Sequence, residues 1–253
     1  MRHLFTAEGD AQLAALVARR PLLAFDFDGT LAPIVAHPEQ ARVPIATLRR
    51  LRELAQRVPL AVISGRSVAD LRSRLGFEPA YLVGNHGAED PHGEQPASWS
   101  AALDGLRGRL RAALAELHHA GIRIEDKGAS LALHYRLAQN RALARAAIER
   151  LLEPLDPRLH VFGGKMVTNV VPAAADDKAS ALRRLAQRVQ AGAVLYLGDD
   201  VNDESVFAAG EASWLTVRVG VHRASAARFF VAGPHEVPRL LDRILTLTSS
   251  APT

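Results

Sequence analysis

The sequence contains no cysteine in 253 residues. That excludes disulfides, thiolate zinc sites and cysteine nucleophiles, without fixing a compartment. Lysine is nearly as scarce: of 31 basic residues only Lys127, Lys165 and Lys178 are lysines. A bias towards arginine has replaced lysine wherever it was replaceable, so these positions call for a compact point charge that a planar guanidinium does not supply. Aromatic residues make up 5% of the chain and are not interleaved with any basic run, so no stacking platform for nucleic acid is present. The net charge of +4 comes from arginines spread through amphipathic stretches such as TLRRLRELAQRV, opposite the leucines. These read as solvated helix faces. No apolar run reaches transmembrane length, and MRHLFTAEGD lacks the hydrophobic stretch of a signal peptide. A soluble, cytoplasmic monomer without nucleic-acid or membrane partners is expected.

What the sequence has is alternation. From Pro21 to Gly84 a strand (Leu22 to Phe27), a helix with leucines at 48, 51 and 54, the strand LAVIS, the helix VADLRSRL and the strand AYLVG follow one another. The rhythm returns after about Ala175 with KASALRRLAQRV, AVLYLG, a helix around Glu204 to Ala209, SWLTVRVG and a last helix. Strands alternating with amphipathic helices predict an α/β fold with a Rossmann-like parallel sheet. Between the turn-rich PHGEQP and PAAADD the order changes to helix, strand, helix and one or two strands. This predicts an α+β cap, an open-faced sheet backed by helices, inserted into the core. The expected division is core 1–93, cap 94–174 and core 175–253.

In open α/β sheets, ligands bind beyond the carboxyl ends of the strands. Four segments of chemical interest fall there. LLAFDFDGTL delivers Asp26 at a strand end, with Asp28 two residues on and on the same side if the chain stays extended. Gly29 permits a sharp turn, which Thr30 is expected to fix by hydrogen bonding. AVLYLGDDVNDE adds Asp199, Asp200 and Asp203 after a second apolar run. Up to five carboxylates would converge if the two strands are neighbours, and such a cluster repels itself unless a hard divalent cation, Mg2+, neutralises it. Ser64, followed by Gly65 and Arg66, offers a hydroxyl and backbone amides to an anionic oxygen, the ordinary alternative being a helix N-cap. Lys178 opens a helix with Asp177 as its candidate cap.

Taken in order, DxDGT, Ser, Lys and GDDxxDE resemble the motif set of the haloacid dehalogenase-like phosphatases. The resemblance implies that Asp26 attacks phosphorus, Asp28 protonates the departing oxygen, Ser64 and Lys178 hold the phosphoryl oxygens, and Asp26, Asp28, Asp199, Asp200 and Asp203 surround magnesium. GNHGAE at Gly84, EDKGASLALHYR at Glu125 and GGKMV at Gly163 narrow the resemblance to the trehalose-6-phosphate phosphatases. That family closes a cap over the phosphosugar substrate, which here implies contacts from Gly65, Arg66, Asn85, His86, Glu125, Lys127, His134, Arg136, Lys165 and Asn169. Alternation puts Leu131, Leu133 and Tyr135 on one strand face and Ser130, Ala132, His134 and Arg136 on the other. Two positions depart from the family: Asn169 stands where a Glu is usual, and Ala179 where a Gly is usual. Asn202 also replaces a commoner Thr. An uncharged amide accepts through one oxygen only, so one sugar contact is rewired. A related cap-bearing phosphatase acting on sucrose 6-phosphate or a mannosyl phosphate is the alternative; a catalytically silent sugar-phosphate sensor is the rival of another class.

Overall fold

Unbroken apolar runs such as LLAF and AVLYL suit strands covered on both faces, because a half-exposed strand would alternate apolar with polar residues. In the computed structural model of the protein, which describes residues 1–93, 97–164 and 166–249, those runs lie in a parallel sheet. The chain begins with β1 (Arg2–His3), α1 (Ala7–Val17), β2 (Pro21–Phe25), α2 (Ile45–Ala55), β3 (Leu60–Ile63), α3 (Val68–Leu75) and β4 (Tyr81–Val83). It then forms α4 (Ala97–Ala112), α5 (Leu114–His119), β5 (Arg123–Asp126), β6 (Leu131–His134), α6 (Arg141–Leu152), β7 (Leu159–Gly164) and β8 (Val167–Pro172). It returns through α7 (Lys178–Arg188), β9 (Ala193–Gly198), α8 (Glu204–Phe207), β10 (Trp214–Val219), β11 (Phe229–Val231) and α9 (Val237–Ser249). Two units result: Met1–Gly87 with Asp177–Thr253, and Ala88–Asp176. Among the described residues no helix is long and apolar enough to cross a membrane.

In the first unit the strand order is β1-β11-β10-β9-β2-β3-β4, and the paired strands run parallel. Leu23, Phe25, Val62, Leu195 and Leu197 pack on one face with Leu13, Leu51, Leu54 and Leu240. Leu22, Ala24, Ile63, Val194 and Tyr196 pack on the other with Leu182, Leu185 and Phe207. Burying both faces accounts for the helix-strand alternation. The sheet order reverses between β2 and β9, which makes their shared carboxyl end the topological switch point where ligands collect. Phe25 pairs with Leu197, so both strands end level, and the Asp26 N–H donates to Leu197 O at 2.8 Å.

The α/β class is the one the alternation predicts, and α3 has the predicted span. Ser67 caps it, its Oγ accepting from the Asp70 N–H at 3.2 Å, and Gly76 ends it at φ +70°. Strand limits and strand number differ. The strand expected to reach Phe27 stops at Phe25, because the N–H groups of Leu31 and Ala32 fold back onto Phe27 O. The short strands β1 and β11 carry too few residues to show a period and escape sequence reading.

The second unit carries a four-stranded antiparallel sheet in the order β5-β6-β8-β7. Leu131, Leu133 and Val170 bury one face against Leu103, Leu106, Leu110, Ala144 and Ile148 of α4 and α6. Two strands precede α6 where one was expected. The chain reverses between β5 and β6 at Gly128, φ +77°, so EDKG runs from the last two residues of β5 into the bend of a hairpin.

Candidate active site

Asp26 emerges at the switch point and is 5% exposed. Lys178 begins α7, whose cap is Asp177, the Asp177 Oδ1 accepting from the Ser180 N–H at 2.8 Å. From there the Lys178 ammonium donates to Asp26 Oδ1 at 2.7 Å and to Asp203 Oδ1 at 2.6 Å. The Tyr196 hydroxyl, from β9, also donates to Asp203 Oδ1, at 2.7 Å, and the Asp200 N–H donates to Asp203 Oδ2 at 2.9 Å. Burial pushes the Asp26 carboxyl well up; Lys178 opposes that rise while Asp203 and Asp199 add to it. Burial works against charge on Lys178, but Asp203 and Asp26 outweigh it and hold the ammonium well above its usual range.

Asp26, Asp199 and Asp203 each bring a carboxylate oxygen within 4.8 Å of the others. With the three ionised and Lys178 charged, two negative charges stay unbalanced. Hard oxygen donors with that deficit fit a divalent cation. Asp199 lies against Gly29, whose φ is +85°; a Cβ there would sit 2.2 Å from the Asp199 carboxylate, so glycine supplies both the turn and the room.

Three of the five expected carboxylates are thus brought together, and Asp28 and Asp200 are not part of that group. The inference that Asp28 points the same way as Asp26 assumed extended chain, which ends at Phe25. Instead Asp28 accepts two hydrogen bonds from Arg66, Nε to Oδ2 at 2.6 Å and Nη2 to Oδ1 at 2.7 Å. Asp200 caps a turn of 3₁₀ helix at Val201–Asp203. The turn after Asp28 is made by backbone, Gly29 N–H to Ala32 O at 2.7 Å, and the Thr30 hydroxyl expected to fix it is buried with no hydrogen-bond partner among the described residues.

Ser64 follows β3. Because Ser67 is the cap of α3, Ser64 is released from that duty; its Oγ accepts from the Arg66 N–H at 3.3 Å. Asn85 and His86 both adopt left-handed backbone, φ 50° and 59°, conformations that cost of order 1–3 kcal/mol each and persist only where the surroundings impose them. Here the Asn85 N–H donates to Arg66 O at 2.8 Å and the His86 N–H to Ser64 O at 2.9 Å. The His86 ring lies over Gly65, 2.4 Å from where a Cβ would stand.

In the second unit, the face of the sheet opposite the helices carries Glu125, Ala132, Asn169 and Phe162 in one cross-strand row. His134 Nε2 hydrogen-bonds Glu125 Oε2 at 2.8 Å, and Lys127 Nζ lies 3.8 Å from the same oxygen. Arg136 is exposed just past β6. Asn169 is 4% exposed and its Nδ2 has no hydrogen-bond partner among the described residues. Lys165 lies outside the described residues.

Sequence reasoning missed two residues. Tyr196 supports Asp203 from inside an apolar strand. Arg218, on fully buried β10, donates to Asp200 O at 3.2 Å and Glu204 Oε1 at 2.9 Å and also to Asp199 O, so it holds the acidic loop from below. A hydroxyl in AVLYLG and a charge in WLTVRV were the available signals, since a buried polar group needs a buried partner.

Comparison with known proteins agrees with this geometry. The family model described as trehalose-phosphatase matches residues 24–234. An uncharacterized glycosyl hydrolase of Mycobacterium tuberculosis is 36% identical over 249 residues, which cover 90% of this chain and 18% of that protein. The trehalose-phosphate phosphatase of the same species is 34% identical over 256 residues, covering 94% of this chain and 64% of that enzyme. The chain therefore spans less than two thirds of these relatives. The solved structure of Aspergillus fumigatus trehalose-6-phosphate phosphatase superposes with a TM-score of 0.65 at 29% identity, covering 96% of this chain and 98% of that one.

Proposed function

The chain belongs to the trehalose-phosphatase family, and from that premise we propose that it hydrolyses trehalose 6-phosphate to trehalose and phosphate, with Mg2+, by way of an aspartyl phosphate on Asp26. The observation that carries this reading is the buried contact of Asp26 with Lys178 beside Asp199 and Asp203. In the first step an Asp26 oxygen bonds to phosphorus, the bond from phosphorus to the sugar oxygen breaks, and that oxygen takes a proton from Asp28. In the second, water attacks phosphorus, gives its proton to Asp28 and frees Asp26.

Enzymes accelerate phosphate-monoester hydrolysis by up to about 10²¹-fold, and acid-base help supplies only about 10²–10⁴. The remainder must come from positioning and charge. Lys178, bonded to Asp26, would meet the phosphoryl oxygens, and Ser64, which follows β3 beside β2, would join it at the same edge of the sheet. Asp26 and Asp199 would hold the magnesium, with Asp203 behind them, and the ion would supply positive charge to the phosphoryl group. Asp203 itself serves Lys178, since three donors already occupy its oxygens.

Sugar selection falls to the second unit acting as a cap, through Glu125, Lys127, His134, Arg136, Lys165 and Asn169, with Asn85 and His86 at the exit from the core. The Glu125–His134 pair supports this, offering an acceptor and a donor side by side to a hydroxyl-rich disaccharide. The test is phosphate release from trehalose 6-phosphate beside glucose 6-phosphate and sucrose 6-phosphate, with and without chelator. Preference for the trehalose ester, lost on chelation and lost in Asp26→Asn at unchanged circular dichroism, is the expected result. Activity retained by Asp26→Asn overturns the nucleophile assignment, and preference for the sucrose ester overturns the substrate.

A further inference from the structure

The geometry points to Arg66 as the positioning residue of Asp28. Family resemblance places Arg66 among the groups that touch substrate, but its hydrogen bonds leave little to offer. A guanidinium has five N–H donors. Nε and Nη2 hold Asp28, Nη1 donates to Asp70 Oδ2 at 2.7 Å, and Nη2 donates again to Pro38 O at 2.9 Å. One N–H is left. The guanidinium also lies over the Phe27 ring, 5.3 Å from its centroid. Asp70 is itself gripped by Arg74, so the group facing Asp28 cannot easily turn.

A fork of two parallel hydrogen bonds fixes both the direction and the plane of a carboxylate. Asp28 needs such fixing, because its side chain is 37% exposed and stands beyond the end of β2. The fork takes one lone pair from each oxygen and leaves the other on each free to carry the proton that Asp28 gives to the leaving oxygen and takes back from water. Arg66 also ties this fork to its neighbours through its backbone: its N–H donates to Ser64 Oγ and its C=O accepts from Asn85. Proton donor, phosphate-holding serine and the GNH turn are thus registered to one residue.

This assignment rests on reading Asp28 as the proton donor, and the test separates the two. Aryl phosphates of similar size but graded leaving-group acidity (phenyl, 4-nitrophenyl and 2,4-dinitrophenyl) need decreasing help from an acid. Asp28→Asn sets the benchmark in kcat/KM, which reports the first step and not the later hydrolysis of the aspartyl phosphate: a loss of roughly 10²-fold on phenyl phosphate that shrinks towards none on the dinitrophenyl ester. Arg66→Lys keeps a charge beside Asp28 and Asp70 but loses the fork. It is expected to lose roughly tenfold in kcat/KM on phenyl phosphate and under about twofold on the dinitrophenyl ester, and to add nothing to Asp28→Asn in the double variant. Arg66→Gln should show the same slope more steeply. If it fails to fold, Arg66→Lys still decides. Equal losses on all three esters, or a loss confined to the sugar ester, would overturn the assignment while leaving the phosphatase reading intact. A wild-type protein silent on every ester overturns both.

Discussion

At the carboxyl end of the core sheet, Lys178 is 3% exposed and bridges two carboxylates, one of which also accepts from a buried tyrosine and a backbone N–H. On the open sheet face of the inserted unit, Glu125 and His134 share one hydrogen bond, with side chains 48% and 36% exposed. The first arrangement is charge fixed in a low dielectric, where each partner is strongly felt and each loss strongly missed. The second is a half-solvated surface whose groups exchange water for ligand at small net gain. Phosphoryl chemistry needs the former because its dipoles must already be oriented when charge develops. The sugar reading proposed for that face would tolerate the latter because it sums many modest contacts.

The sharpest way to break this comparison is Lys178→Met. It leaves Asp26 and Asp203 buried without their cation, and removing one partner of a buried pair costs about 3–5 kcal/mol. Activity should fall by about 10³-fold on aryl and sugar phosphates alike, since a stabilising charge is lost from the reacting centre. Denaturant unfolding and steady-state kinetics read the two effects. A variant as stable as wild type would show that the core cluster is no more tightly coupled than the cap face.

Next in size is Glu125→Ala, alone and with His134→Ala. A lost hydrogen bond to a charged group is worth about 1.5–3 kcal/mol, so kcat/KM on the phosphosugar should drop roughly 10–10²-fold. Hydrolysis of a small aryl phosphate should stay within about twofold, because those residues would add binding remote from the reacting atoms. Equal losses on both substrates would erase the division of labour between the two regions.

The same division governs what could be read from sequence. Asp26, Lys178 and the GDDVNDE loop were legible because each follows an apolar strand or opens a helix, and the strand order does the rest. The side-chain periods of SLALHYR were legible too: Leu131 and Leu133 face the helices, while His134 reaches Glu125 across β5 and β6. Pairings beyond a strand end were not. Asp28 belongs to Arg66, 38 residues away, and no periodic argument reaches through a turn. Ser64 was weighed as a helix cap when Ser67, three residues on, fills that place. Arg218 and Tyr196 sit inside runs that read as plain core, and only the arrangement of strands reveals that their polar ends meet the acidic loop.

The smallest effect sharpens the comparison from the side of the cap's own stability. Asp126 ends β5 and accepts from Arg107 of α4, Nε to Oδ2 at 2.8 Å and Nη2 to Oδ1 at 3.0 Å, and from the Gly128 N–H at 3.0 Å. The Arg107 hydrogen bonds lead in holding its carboxyl below the ordinary value of 3.8; burial opposes them, and the Gly128 N–H adds to them. The folded state therefore binds fewer protons here than the unfolded chain. The contribution is fully present above that ordinary value and fades as pH falls through the lower folded one. Since the Asp126 side chain is 44% exposed, Asp126→Asn should cost only about 0.2–1 kcal/mol at neutral pH. Unfolding of the variant and wild type should converge in acid, once both side chains are neutral. A gap that persists unchanged at low pH would mean that the carboxylate charge contributes nothing and that shape alone holds β5 to α4.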